Sequence, residues 1–252
     1  MIHLRTFGDI SLSASDGGAH KSPLLDHPKR LALFLYLARE PGLAHQRDSL
    51  LAVFWPESTA AHARNSLRQS LHVIRSALGD TVVLSQGSGC VIVPHQLVTS
   101  DISAFHGALA TDRMVDALEL YRGEFLSGFY LKGAPTFERW VDTEREHAKR
   151  LAADAASRHA GRLEKKGDYQ EALRYFERAR ELSPFNEWIA RRHIWLLAAV
   201  GNRGEAVDEY RTFCERLRVD LGVLPSTTTA SLGRRIRTHT VHPIDAQVTS
   251  AH

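Results

Sequence analysis

The stretch Ser58–Gly79, STAAHARNSLRQSLHVIRSALG, decides the fold of the N-terminal half. Its twenty-two residues hold three arginines and two histidines and no aspartate or glutamate. At 3.6 residues per turn Ala63, Leu67, Leu71, Ile74 and Leu78 share one face. Arg64, Asn65, Arg68, Gln69, His72 and Arg75 spread over the opposite one. Exposed helices gain from Glu paired with Lys or Arg one turn on, and this segment forgoes every such pair. Asn, Gln, His and Ser stand in place of the acids, side chains that bond base edges as well as phosphates. The pattern predicts a helix, capped by Ser58 or Thr59, with one face in a core and the other laid in a DNA major groove. The plain alternative is a solvated amphipathic helix that happens to carry arginines.

Outward from this helix the elements are short. Ile2–Phe7 and Ile10–Ala14 alternate as strands, with Asp16-Gly17-Gly18 as a turn. Lys29–Ala38 is an apolar helix after Pro28, stopped by Pro41-Gly42. Gln46–Phe54 is a second helix, closed by Trp55-Pro56. After Gly79, Val82–Leu84 and Cys90–Val93 flank Ser85-Gln86-Gly87-Ser88-Gly89 as a hairpin. Strands, three helices and a hairpin are the element order of a winged helix with an N-terminal sheet, in which the second and third helices form a helix-turn-helix.

From about Asp101 the pattern reads as helical throughout, with a long helix over Thr136–Lys166. Gly167-Asp168-Tyr169-Gln170-Glu171-Ala172-Leu173 recurs thirty-four residues later as Gly201-Asn202-Arg203-Gly204-Glu205-Ala206-Val207, the tetratricopeptide period. Ala172 and Ala206 fall where paired helices approach closely, Phe176 and Tyr210 lie one turn on, and Pro184 ends the first unit. The expected fold is an α+β N-terminal winged-helix domain with an N-terminal β-sheet over residues 1–97, an all-α tetratricopeptide-like domain over 98–237, and a disordered tail over 238–252.

Composition narrows the function classes. The 252 residues carry a net charge of +3, too little to argue nucleic-acid binding alone. Among residues 1–100 nine Lys and Arg face seven Asp and Glu, and all seven acids lie outside Ser58–Gly79, so the basic character is local. Two cysteines, Cys90 and Cys214, predict no disulfide and a reducing, cytoplasmic setting. The alternating start lacks the features of a signal peptide, and no apolar run reaches about eighteen residues, so neither export nor a membrane span is expected. The fourteen histidines form no HExxH or Cys/His cluster, and His239 with His242 lies in the tail, so no metal is expected. Without GxxxxGK[ST] or GxSxG, neither an enzyme nor a cofactor is predicted. Trp55, Trp140, Trp188 and Trp195 have helical spacing and are read as core rather than as a stacking platform.

Taken in order, the segments LRTFGDISL (4–12), PKRLALFLYLARE (28–40), HQRDSLLAVFWPES (45–58) and ARNSLRQSLHVIRSALGD (63–80) are followed by LYRGEFLSGFY (120–130), FERWVDTERE (137–146), GDYQEALRYFERARELSPFNE (167–187) and DLGVLPSTTTASL (220–232). So ordered, the chain resembles the SARP group of bacterial transcriptional regulators, an OmpR-like winged helix followed by the bacterial transcriptional activator domain. The resemblance runs from about Ile2 to Arg237. It implies an activator that dimerises on direct repeats in double-stranded promoter DNA and recruits RNA polymerase holoenzyme, often at secondary-metabolite genes, and a nucleoid-associated place in the cytoplasm. Wings of this type often carry a basic tip, whereas Gln86 and Ser88 stand here. A chain that starts in the winged-helix sheet is expected to carry no phosphoacceptor receiver ahead of it.

Arg64, Asn65, Arg68, Gln69 and His72 are the candidates for reading bases, since Arg pairs with guanine and Asn or Gln with adenine. Arg75 sits nearer the apolar edge, where a phosphate contact and an intradomain pair compete. Gln46 and Arg47 open the second helix, either as a phosphate site or as an ordinary helix start. Lys29 and Arg30 have a similar claim on the DNA backbone. The rival from another class is a tetratricopeptide scaffold whose winged helix binds protein. A small-molecule sensor using the groove of the repeats is compatible with the activator.

Overall fold

A computed structural model describes residues 1–14, 27–87 and 89–238. The expected turn at Asp16-Gly17-Gly18, Ser88 of the wing and the tail from 239 lie outside the described residues. The chain divides into two compact units, Met1–Ala148 and Lys149–His252.

The first unit opens with β1 (Ile2–Arg5) and β2 (Ser11–Ala14), paired antiparallel with Leu4 opposite Leu12. Helix α1 (Pro28–Ala38) has proline in its first turn, where a missing N–H is harmless, and buries Leu31–Leu35, Leu37 and Ala38. Strand β3 (Ala44–Gln46) leads into α2 (Arg47–Phe54). Helix α3 (Ala60–Leu78) follows, then β4 (Leu84–Gln86), β5 (Cys90–Ile92) and β6 (Val98–Ser100). One sheet has the order β2-β1-β6 and the other β3-β5-β4. β1 and β6 run parallel, so the intervening chain must cross over between them, which the three helices accomplish.

Two strands escaped the sequence pattern. β3 and β6 each have three residues, too few for a period of two to show, and neither flanks a glycine-rich hairpin turn like the one that announces the equally short β4 and β5. Gln46 therefore ends a strand and serves as the N-cap of α2, without a side-chain cap bond, instead of lying inside the helix. β6 carries the first sheet past residue 97, and the break between compact units falls inside a later helix.

Helices α4 (Asp101–Ala110) and α5 (Met114–Leu120) come next, then α6 (Pro135–Lys165). The helical pattern expected after Asp101 is interrupted, for 121–134 is a loop with no helix. The loop is held from both sides. Leu126 N–H donates to Thr6 O at 2.8 Å and Gly8 N–H to Glu124 O at 3.0 Å, while the Arg145 guanidinium donates to the carbonyls of Phe125 (2.9 Å), Leu126 (2.7 Å) and Phe129 (3.3 Å). Buried carbonyls without a helix partner need such donors. Asp101 plays the reverse part, accepting from the N–H groups of Thr6 and Phe7 at 2.9 Å and from Thr6 Oγ1 at 2.6 Å. Aromatic contacts among Tyr36, Phe54, Phe125, Phe137 and Trp140 bind α1, α2, the loop and the start of α6 into one core.

The second unit holds the continuation of α6, then α7 (Tyr169–Leu182), α8 (Glu187–Ala199), α9 (Arg203–Leu221) and α10 (Thr227–Thr238). α7 packs on α8, α8 on α9, and α10 on both α8 and α9. Gly167 and Gly201 open the two repeats with φ of 82° and 96°, a backbone that a side chain resists. Ala172, Phe176, Ala206 and Phe213 are fully buried. Of the four tryptophans read as core, Trp55 and Trp195 are buried and Trp140 half-buried, but Trp188 is 49% exposed. It stands in the first turn of α8, where its ring meets Phe176 at 5.8 Å between centres.

Candidate nucleic-acid interface

Thr59 caps α3, its hydroxyl accepting from His62 N–H at 3.4 Å. Ala63, Leu67, Leu71 and Ile74 are buried, with Ser70 between them, and Leu78 is half-buried at the end. Each full-size apolar side chain contributes roughly 1.5 to 3 kcal/mol of burial, enough to fix the rotation of the helix. With that rotation fixed, Arg64, Asn65, Arg68, Gln69 and His72 are all exposed.

The N-terminal half of α3 lines an open cleft of about 890 Å³ with the start of α2 and the turn end of the wing hairpin. Arg64, Asn65 and Arg68 meet Gln46 and Arg47 there, beside Gly89 and Cys90. Gln69 and His72 lie outside the cleft lining, farther along the same exposed face. One acid, Asp48 from α2, also lines the cleft. Arg68 Nη2 donates to Asn65 Oδ1 at 2.7 Å, so these two side chains are presented together.

Ser85, on wing strand β4, was invisible as a functional position. Its Oγ accepts from Arg47 Nη2 at 3.0 Å and from Arg75 Nη2 at 3.4 Å. Two guanidiniums from helices α2 and α3 thus converge on one hydroxyl. Arg75 is half-buried and also donates through Nε to Val83 O at 2.7 Å, so of its two sequence readings the structure shows the intradomain contact. Arg47 N–H donates to Gly89 O at 2.8 Å. Sequence could not find Ser85, because its partners lie 38 and 10 residues away and an alternating Leu-Ser-Gln says nothing of them.

The remaining candidates are dispersed. Gln86 is exposed on β4, opposite Cys90. Lys29 and Arg30 are half-buried in the first turn of α1 and do not line the cleft, and the Lys29 ammonium sits 5.7 Å from the Trp55 ring centre, a cation–π distance. Among the described residues no group of three or more His, Cys, Asp or Glu side chains is placed to hold a metal, and no helix is long and apolar enough to cross a membrane.

A helix-turn-helix flanked by a paired hairpin, ahead of stacked helix hairpins, defines a SARP-type transcriptional regulator. Residues 98–237 match the family described as the bacterial transcriptional activator domain, and the chain belongs to that family. Among solved structures it is similar to Mycobacterium tuberculosis EmbR in complex with a low affinity phosphopeptide, at 20% identity and a TM-score of 0.66 over 99% of this chain and 68% of that one. At this identity the likeness is one of fold. None of the curated proteins matches the chain.

Proposed function

We propose that this transcriptional activator binds double-stranded promoter DNA with α3 in the major groove. Arg64, Asn65, Arg68, Gln69 and His72 read base edges, while Gln46 and Arg47 at the start of α2 set register on the phosphates. Lys29 and Arg30 serve as outlying backbone contacts. The wing, with Gln86 and Ser88 at its tip, adds little sequence reading. Two copies bind direct repeats, and the helical domain recruits RNA polymerase holoenzyme, with secondary-metabolite genes as the expected class of target. No catalysis and no cofactor belong to this account.

The observation that carries it is an exposed α3 face without one acid, on a helix whose other face is locked in a core. Fluorescence anisotropy on duplexes from the neighbouring promoters, at several salt concentrations, tests it. Neutralising several phosphates makes the logarithm of affinity fall linearly with the logarithm of salt, by about 0.9 per phosphate contacted. A steep fall is expected. No salt-sensitive binding at micromolar protein overturns the proposal in favour of a tetratricopeptide scaffold whose winged helix binds protein, the reading to which the small net charge of +3 lends itself.

A further inference from the structure

Away from the α3 cleft, the first unit holds a second concave site, lined by Arg39, Glu40, Pro41, His95, Ser103, His106 and His147. It lies where the C-terminal end of α1 meets α4 and α6. Arg39 follows the last residue of α1 and is held three ways. Its Nε donates to Glu144 Oε2 of α6 at 2.8 Å, its Nη2 bonds to His106 Nε2 of α4 at 3.1 Å, and its carbonyl accepts from Ser103 Oγ at 3.1 Å. The His147 ring of α6 stacks on His106, with centres 5.8 Å apart and planes 16° from parallel.

The direction of the bond to His106 follows from chemistry. A guanidinium has only donors, so His106 Nε2 must be bare and the ring proton must sit on Nδ1. Protonating His106 puts a second donor against Arg39 and a second positive charge beside it. We propose that Arg39, Ser103, His106, Glu144 and His147 form a proton-sensitive latch that fastens the end of α1 to α4 and α6 and loosens when His106 is protonated, since one of the three bonds to Arg39 is then lost. The bond cannot survive protonation, because neither partner is then an acceptor.

The charges around His106 favour the closed form at neutral pH. Burial pushes its imidazole below the ordinary range first, then the Arg39 guanidinium and the stacked His147 push it further. Glu144 on α6 and Glu40 beyond α1 oppose them without prevailing. His95, on the loop before β6, is the remaining titratable group on the cleft wall. A lowered imidazole pKa makes the latch fully stabilising above the unfolded value near 6.5, and that contribution drains away as pH falls toward the folded value. The ligand of this site is thus the proton, and its effect falls on the helix that precedes the helix-turn-helix. The inference does not depend on nucleic-acid binding.

The test uses the full chain and His106→Gln, whose amide oxygen accepts from Arg39 and cannot titrate. Amide hydrogen exchange is followed at pH 7.5 and 5.5, corrected for the intrinsic rate, over 33–39 and 101–109, with the non-titrating variant as the control. Wild-type protection over 33–39 and 101–109 is expected to drop by at most about tenfold, because pH 5.5 lies about one unit below the unfolded value near 6.5, while the variant holds its protection. Equal losses in wild type and variant overturn the latch. Should the variant fail to fold, NMR titration of wild-type His106 decides. A His106 transition below the ordinary range, moving together with the Arg39 Nε–H resonance, upholds the latch, and an Arg39 resonance indifferent to that transition overturns it.

Discussion

Arg68 directs one guanidinium N–H at Asn65 Oδ1, which orients the Asn65 amide and leaves four other arginine donors for a base edge or phosphate. Arg68→Ala removes the donor and frees Asn65, so two base positions lose definition together. The expected result is a loss of roughly 1 to 3 kcal/mol in discrimination between specific and scrambled duplexes, read by competition anisotropy, with far-UV circular dichroism unchanged because the side chain is exposed. The exposed face of α3 was legible because burial of one stripe dictates the opposite stripe. Ser85 and the 2.7 Å bond from Arg75 to Val83 O were not, since both depend on the distance between a helix and a hairpin that no local pattern encodes.

Between elements, the wing is fastened to α3 through Arg75. Arg75→Ala leaves Val83 O without its side-chain donor and is expected to cost about 1 kcal/mol, seen as faster amide exchange over 84–86 while the core of α3 stays protected. A second contact is steric. A Cβ built on Gly233 of α10 would lie 2.2 Å from the Tyr210 ring of α9, so that ring must move for any larger residue. Gly233→Ala is expected to destabilise the second unit by roughly 1 to 3 kcal/mol, measured by urea unfolding. Helices were the most legible elements, because ten or more residues give period 3.6 time to declare itself. The three-residue strands β3 and β6 and the loop at 121–134 did not show, the loop because its order comes from Thr6, Arg145 and neighbouring strands rather than from its own sequence.

At the scale of the whole molecule, stability should depend on pH through His193 of α8. Burial first, and Arg180 second, lower its imidazole from 6.5 to about 4, and its Nδ1 has no hydrogen-bond partner. The folded state thus binds the proton less readily than the unfolded chain. This contribution is full above pH 6.5 and is lost as pH falls toward 4, by about 3 kcal/mol at most. Urea unfolding across that window checks it, and His193→Gln should flatten the slope. Glu187 acts lower still. Burial raises its carboxyl, but the hydroxyls of Ser226 and Thr229, the Ser226 N–H and Arg191 outweigh that and hold it below its ordinary value, tying α8 to the start of α10 until pH falls beneath the carboxylate range.

The central claim remains that α3 reads promoter DNA. A hydroxyl-radical footprint of the protein on its own genomic neighbourhood tests it most directly, run beside a variant carrying both Arg64→Ala and Arg68→Ala. The account predicts discrete protected segments, repeated in the same orientation, that vanish in the variant while its helical content stays intact. Protection that is absent at micromolar protein, or that persists unchanged in the variant, would contradict it.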